Sequence, residues 1–207
     1  MDSHKLIIKF FTEDATQVEE SAFVPVFHSL IQAHALPDHL LIDVADYTHV
    51  PDGPGTVLVS HEANVYIDHT VDKRPGLMYQ RKQPIAGAES FRDRLAHVFA
   101  SALRVAALLE ENPAFEGRLK FRTGDFALRV NDRLRGPNTP ETYQQVAPAL
   151  RAFLAELYPG SDVSFEQAKN SPLQLFQINV KASRPPTPAV LLDRLAALAQ
   201  AAPVPSR

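Results

Sequence analysis

Apolar and polar residues recur along this chain with periods of two and about 3.6, and their succession lays out the elements. In "KLIIKFF" (5–11), Leu6, Ile8 and Phe10 alternate with Ile7, Lys9 and Phe11, the pattern of a strand buried on one face and partly covered on the other. Phe23, Val26, Phe27, Leu30 and Ile31 then recur at three- and four-residue steps and predict a helix over 22–35. Pro25 fits its first turn, where the missing N–H costs nothing. "HLLIDVADY" (39–47), "TVLVSHE" (56–62), "NVYIDH" (64–69) and "GLMYQRK" (76–82) are short runs parted by Pro/Gly turns at 51–55 and 74–76, and predict an antiparallel meander.

Ser90 and Asp93 form a capping-box signature ahead of the stripe Phe91, Leu95, Val98, Phe99, Ala102, Ala106 and Leu109, predicting a helix over 90–111 that stops at Asn112–Pro113. "RLKFRT" (118–123) and "FALRVN" (126–131) predict a hairpin turning at Gly124–Asp125. Thr139–Pro140 opens a third helix, which Pro148 should kink and Pro159–Gly160 should end. Strands over 162–167 and 175–182 and a last helix over 187–201 follow, with a frayed tail at 202–207. The expected fold is α+β, a single domain over 1–207 whose antiparallel sheet or sheets carry four main helices on one face. A strand–helix–strand–strand–helix order can be laid over both 5–111 and 126–201. "FALRVN", the helix over 140–158, "DVSFEQ" and "LFQINVKA" then answer "LIIKFF", the helix over 22–35, "LLIDVAD" and the strands after it. Internal duplication and a common α+β pattern both account for this order.

That doubled order resembles the tandem modules of GyrI-like and SOUL-type proteins, and the resemblance implies a groove between copies for small hydrophobic or cationic ligands, or haem. The strings "LLIDVADYTHVPDGPG", "SHEANVYID" and "RVNDRLRGPNTPE" also resemble a family of bacterial proteins of similar length with no assigned activity, so this second resemblance implies none.

Composition narrows the chemistry. The 207 residues are 45% apolar, enough for a core of this size, and contain no Cys, which excludes disulfides, thiolate metal sites and Cys nucleophiles and suits a reducing cytoplasm. No run approaches the ~20 apolar residues that span a bilayer, so no membrane partner is expected. Net charge is −3, but residues 1–72 hold 12 acids against Lys5 and Lys9, whereas residues 73–135 hold 13 Lys/Arg against 7 acids. "RLKFR" sets Arg118, Lys120 and Arg122 on one strand face, which reads as a solvated edge; no nucleic-acid partner is expected from a chain of pI near 6.2. Nucleophile-elbow and phosphate-loop motifs are absent from the sequence.

The candidate chemistry lies around "DYTHVPDGPGTVLVSHE" (46–62). Alternation within strands, stacked across the meander, predicts one sheet face bearing Asp43, Tyr47, His49, Glu62, Asn64, Tyr66 and Arg81, with Tyr79 beside them. Carboxylates that accept, an Arg81 that holds an anionic group and flat Tyr rings suit a small polar ligand. The leading expectation is therefore a non-catalytic binding or accessory protein, taking a small molecule or a partner in a polar groove over 43–81. Two alternatives stay open. One is an acid/base or metal-dependent hydrolase using His49 and Glu62. The other is an electrostatic interaction module, such as a homodimer, in which the acidic first third meets the basic middle of another copy. His49, His61, Glu62 and Asp52 are the nearest metal-type ligands, yet His61 and Glu62 alternate to opposite faces and no H-E-x-x-H occurs; neither metal nor cofactor is expected.

Overall fold

The computed structural model describes residues 1–13 and 18–201; the tail expected to fray at 202–207 lies outside the described residues. Eight antiparallel strands form one sheet in the order β2-β3-β4-β5-β1-β6-β8-β7. They are β1 (Leu6–Thr12), β2 (Leu41–Asp46), β3 (Thr56–Ser60), β4 (Ala63–Asp68), β5 (Gly76–Arg81), β6 (Phe121–Val130), β7 (Val163–Gln167) and β8 (Phe176–Ala182). The helices are α1 (Phe23–Gln32), α2 (Phe91–Glu110), α3 (Pro140–Leu157) and α4 (Pro188–Ala201), and one continuous core joins all four to the same sheet face. The α+β architecture is therefore as the periodicities predict.

The sheet is built outward from β1, which pairs with β5 on one side and β6 on the other. Away from the β1–β6 pair the order is β5-β4 in one direction and β8-β7 in the other, with α1 and α3 following the two central strands in the chain. By position in the sheet, β7 and β8 thus answer β4 and β5, and the β2–β3 hairpin is additional to the first set.

Central position explains the composition of β1. Leu6, Ile8 and Phe10 enter the helix-side core, while Ile7 and Phe11 join Met78, Val71 and Ala127 in a second apolar cluster on the opposite face. Phe99 of α2 ties the layers together, standing edge-on to Phe10 (5.3 Å), Phe126 (5.1 Å) and Phe153 (5.6 Å). The Ser90–Asp93 capping box forms as expected: Ser90 Oγ accepts from Asp93 N at 3.0 Å and Asp93 Oδ2 from Ser90 N at 3.1 Å.

One predicted turn is replaced by continuous strand. Residues 121–130 form one strand that passes through Gly124–Asp125 without reversing, and the register to β1 jumps from Phe10↔Phe126 to Phe11↔Arg122, so the extra residues form a bulge. Gly124 serves close approach instead of reversal, because a Cβ there would stand 2.6 Å from Pro185 Cβ. The third helix runs from Pro140 to Leu157 with Pro148 inside it, whose missing N–H leaves the Gln144 carbonyl without its intrahelical donor.

Candidate functional site

Antiparallel register decides which predicted residues meet, because directly opposed residues share a face. Asp43, Val59, Asn64 and Gln80 form one cross-strand row, and Ala45, Val57, Tyr66 and Met78 the next. Asp43, Asn64 and Tyr66 therefore lie on the face away from the helices, where Asn64 Nδ2 donates to Tyr66 Oη at 2.9 Å. Arg81 stands opposite Ala63 and so turns, with Tyr79, toward the helices. The expected single face is corrected on this point: the one-residue offset between β4 and β5 separates Arg81 from Asn64 and Tyr66.

His49 and Glu62 are also apart. His49 is exposed in the β2–β3 loop and Glu62 sits in the β3–β4 turn, so the length of β3, roughly 17 Å for five residues, lies between the two loops that carry them. Glu62 anchors the chain entering β2, its carboxylate accepting from Leu40 N at 2.8 Å. Burial opposes ionisation there, but this bond and the nearby His61 and His39 hold the carboxyl below its ordinary range.

Tyr47 is the member of the predicted set that reaches a hollow. Asp46 Oδ1 accepts from Thr48 N at 2.9 Å and, with the Thr48 side chain, is held below the ordinary carboxylate range; this Asx turn starts the loop. Bonds from Tyr47 N to Gly55 O (3.0 Å), Val50 N to Tyr47 O (2.9 Å) and Gly53 N to Val50 O (2.9 Å) fix the rest. Gly55 adopts φ +68°, and a Cβ there would collide with the Ile67 carbonyl and stand 2.5 Å from Glu20 Oε1, so only glycine lets Glu20 approach.

The loop closes a polar hollow of about 270 Å³ against Glu20, His69 and Thr70, with Tyr47, Thr48 and Asp52 on its own side. An apolar hollow of about 240 Å³ adjoins it, lined by Val18, Phe23, Ile67, Leu119 and Phe121, and both hollows share Glu20 and His69. Glu20 Oε2 lies 3.1 Å from His69 Nε2, while Oε1 is buried without a hydrogen-bond partner. Sequence periodicity missed this pair because Glu20 precedes α1 and His69 follows β4, outside any repeating pattern. The readable signal was Gly55, a glycine directly after Pro54 at the end of the Pro51–Gly55 turn.

Two further polar clusters lie inside the molecule. On the face away from the helices, Lys9 is fully buried and its Nζ has four acceptors: Asp68 Oδ2 (2.6 Å), Asp68 O (3.0 Å), Val71 O (3.3 Å) and Arg74 O (2.5 Å). Burial draws the ammonium below its ordinary range against the pull of Asp68. Burial works to raise the Asp68 carboxyl, but Lys9 and Thr70 hold it low. On the helix side, Tyr79 Oη lies 2.7 Å from His39 Nε2, and Arg81, only 6% exposed, donates to Gln83 O (2.8 Å) and Pro84 O (3.1 Å). Burial and the Arg81 charge depress His39 to about 4 and lower His97 as well. His39 Nδ1, His97 Nε2 and Arg81 Nη1 are buried and unpartnered.

Among the described residues no group of three or more His, Asp or Glu is placed to hold a metal ion, and no helix is long and apolar enough to cross a membrane. No family model, curated protein or solved structure matches the chain.

Proposed function

We propose that the chain is a cytoplasmic small-molecule binding protein whose ligand occupies the paired hollows at the end of the strand meander. The observation that carries this reading is the Glu20–His69 pair standing between a polar and an apolar hollow. Together the two hollows fall in the size range of ordinary ligand pockets. Glu20, Asp52, Tyr47 and Thr48 offer acceptors, and no Lys or Arg is among the described residues that line either hollow. The complementary ligand has a polar end that donates hydrogen bonds and an apolar body against Phe23, Ile67 and Phe121. The resemblance of the element order to GyrI-like and SOUL-type modules, which take small hydrophobic or cationic ligands, supports the same chemistry. The groove expected over 43–81 is retained in this reading at one end of the meander, with Tyr47 in it and Asp43, Asn64, Tyr66 and Arg81 outside it.

A thermal-shift screen of small amines, amides and polyols tests the reading. A compound present at ~100 times its dissociation constant stabilises the folded state by about 2.7 kcal/mol. Glu20→Gln and Tyr47→Ser should each weaken that response. Hits that raise the melting temperature of wild type and both variants equally would remove the paired hollows as the site.

A further inference from the structure

Among the described residues, the four large apolar side chains most open to solvent are Leu134 (91% exposed), Leu173 (77%), Leu40 (65%) and Ile42 (56%). They form two pairs. Leu134 lies on the β6–α3 loop and Leu173 on the β7–β8 loop, and Asn138 ties these loops together by donating to Asn170 Oδ1 (2.7 Å) and Ser171 O (3.1 Å) and accepting from Gln167 Nε2 (3.0 Å). Leu40 and Ile42 lie at the start of the edge strand β2, where the register to β3 shifts between Leu41 and Asp43.

The two pairs carry opposite charge. Exposed Arg133 and Arg135 flank Leu134, and exposed Lys169 is on the loop of Leu173. The carboxylate among them, Asp132, is engaged by Ser3 Oγ (3.2 Å) and Arg135 N (3.1 Å). Exposed Asp38 and Asp43 flank the Leu40–Ile42 pair and the Glu62 carboxylate accepts from Leu40 N, so the patch stays net negative with the Lys82 ammonium beside it at Ser60 O. Strand direction brings both pairs to the same end of the sheet: Leu41 pairs with Ser60, Ala63 with Arg81, Leu6 with Val130, and Val130 with Phe176. They stand toward opposite flanks, five to seven strand spacings or roughly 24–34 Å apart. One loop pair cannot reach the other patch of its own chain across that distance. Protruding leucines beside net positive charge, with an apolar patch beside net negative charge, are the ingredients of a steered protein contact.

We propose that the chain self-associates, the Leu40–Ile42 edge of one copy seating against the Leu134–Leu173 loops of a second. Under a twofold axis the contact is made twice, which closes a dimer instead of a filament. Tyr47 and the paired hollows take no part, so the inference stands or falls apart from ligand binding.

Sedimentation velocity on the full chain tests it, with far-UV circular dichroism confirming that each variant is folded. Wild type should sediment as a dimer whose dissociation constant rises about tenfold or more as NaCl goes from ~0.1 M to ~1 M, because the screening length falls from ~10 Å to ~3 Å. Leu134→Ser/Leu173→Ser should be monomeric. Asp38→Lys/Asp43→Lys and Arg133→Glu/Arg135→Glu should each be monomeric alone and form a one-to-one heterodimer when mixed. A monomeric wild type, a dimer that survives the double leucine replacement, or charge-reversed variants that fail to pair on mixing would each overturn the proposal.

Discussion

Two buried polar clusters lie on opposite faces of the same sheet, one around Lys9 on β1 and the other around Tyr79 and Arg81 on the adjacent β5. At Lys9, three ammonium hydrogens meet four acceptors, one of them a carboxylate. At Arg81, a permanent charge meets two carbonyls, and three buried polar atoms around Tyr79 have no partner. Burial alone therefore does not decide what a charged side chain contributes. The first cluster fastens the 68–75 segment over the sheet and is strongly coupled. The second leaves hydrogen-bonding capacity unused, and its members act more independently.

The largest effect should come from breaking the satisfied cluster. Lys9→Met removes the ion-pair partner of the buried Asp68 carboxylate, leaving it Thr70 Oγ1, Val71 N and the Arg129 charge, and should cost about 3–5 kcal/mol in urea unfolding, and adding Asp68→Asn should recover more than half of that. Additive losses would show that the two residues are not coupled.

The next effect is a pH limb from the other face. His39 has a folded value of about 4 against an ordinary 6.5. Between those values the unfolded chain binds a proton that the folded chain refuses, so stability falls as pH drops from 6.5 to 4, by at most about 3 kcal/mol. His39→Gln should flatten this limb in acid titrations of unfolding; an unchanged slope would assign the acid sensitivity elsewhere. Smallest is Arg81→Met. It loses two hydrogen bonds to carbonyls but relieves an unpartnered buried Nη1, so the net cost should be about 1–2 kcal/mol. A cost matching that of Lys9→Met would erase the distinction between the clusters.

The same contrast explains what the sequence could reveal. Element positions were legible because each depends on local periodicity and punctuation: the α2 stripe with its Ser90 cap, the meander bounded by Pro and Gly, and the two-sided burial of β1. Residue-to-face assignments across strands were not, because they depend on register. One residue of offset between β4 and β5 sent Arg81 to the helices and left Asn64 and Tyr66 behind. Gly124 read as a turn because its real constraint, contact with Pro185, comes from 61 residues further along the chain. Of the residues expected at the site, Tyr47 lines the polar hollow, whereas Glu20 and His69 beside it are joined by tertiary structure alone.

The central place of β1 bears on how the molecule is made. Its partners are β5 and β6, and Leu6 pairs with Val130, so the strand cannot be enclosed until more than a hundred further residues have been synthesised. At translation rates of about 5–20 residues per second, a segment rich in Leu, Ile and Phe waits roughly 6–25 s before its β6 edge can be covered, with β5 available earlier on its other edge. Newborn chains should accordingly depend on early chaperone protection at that segment.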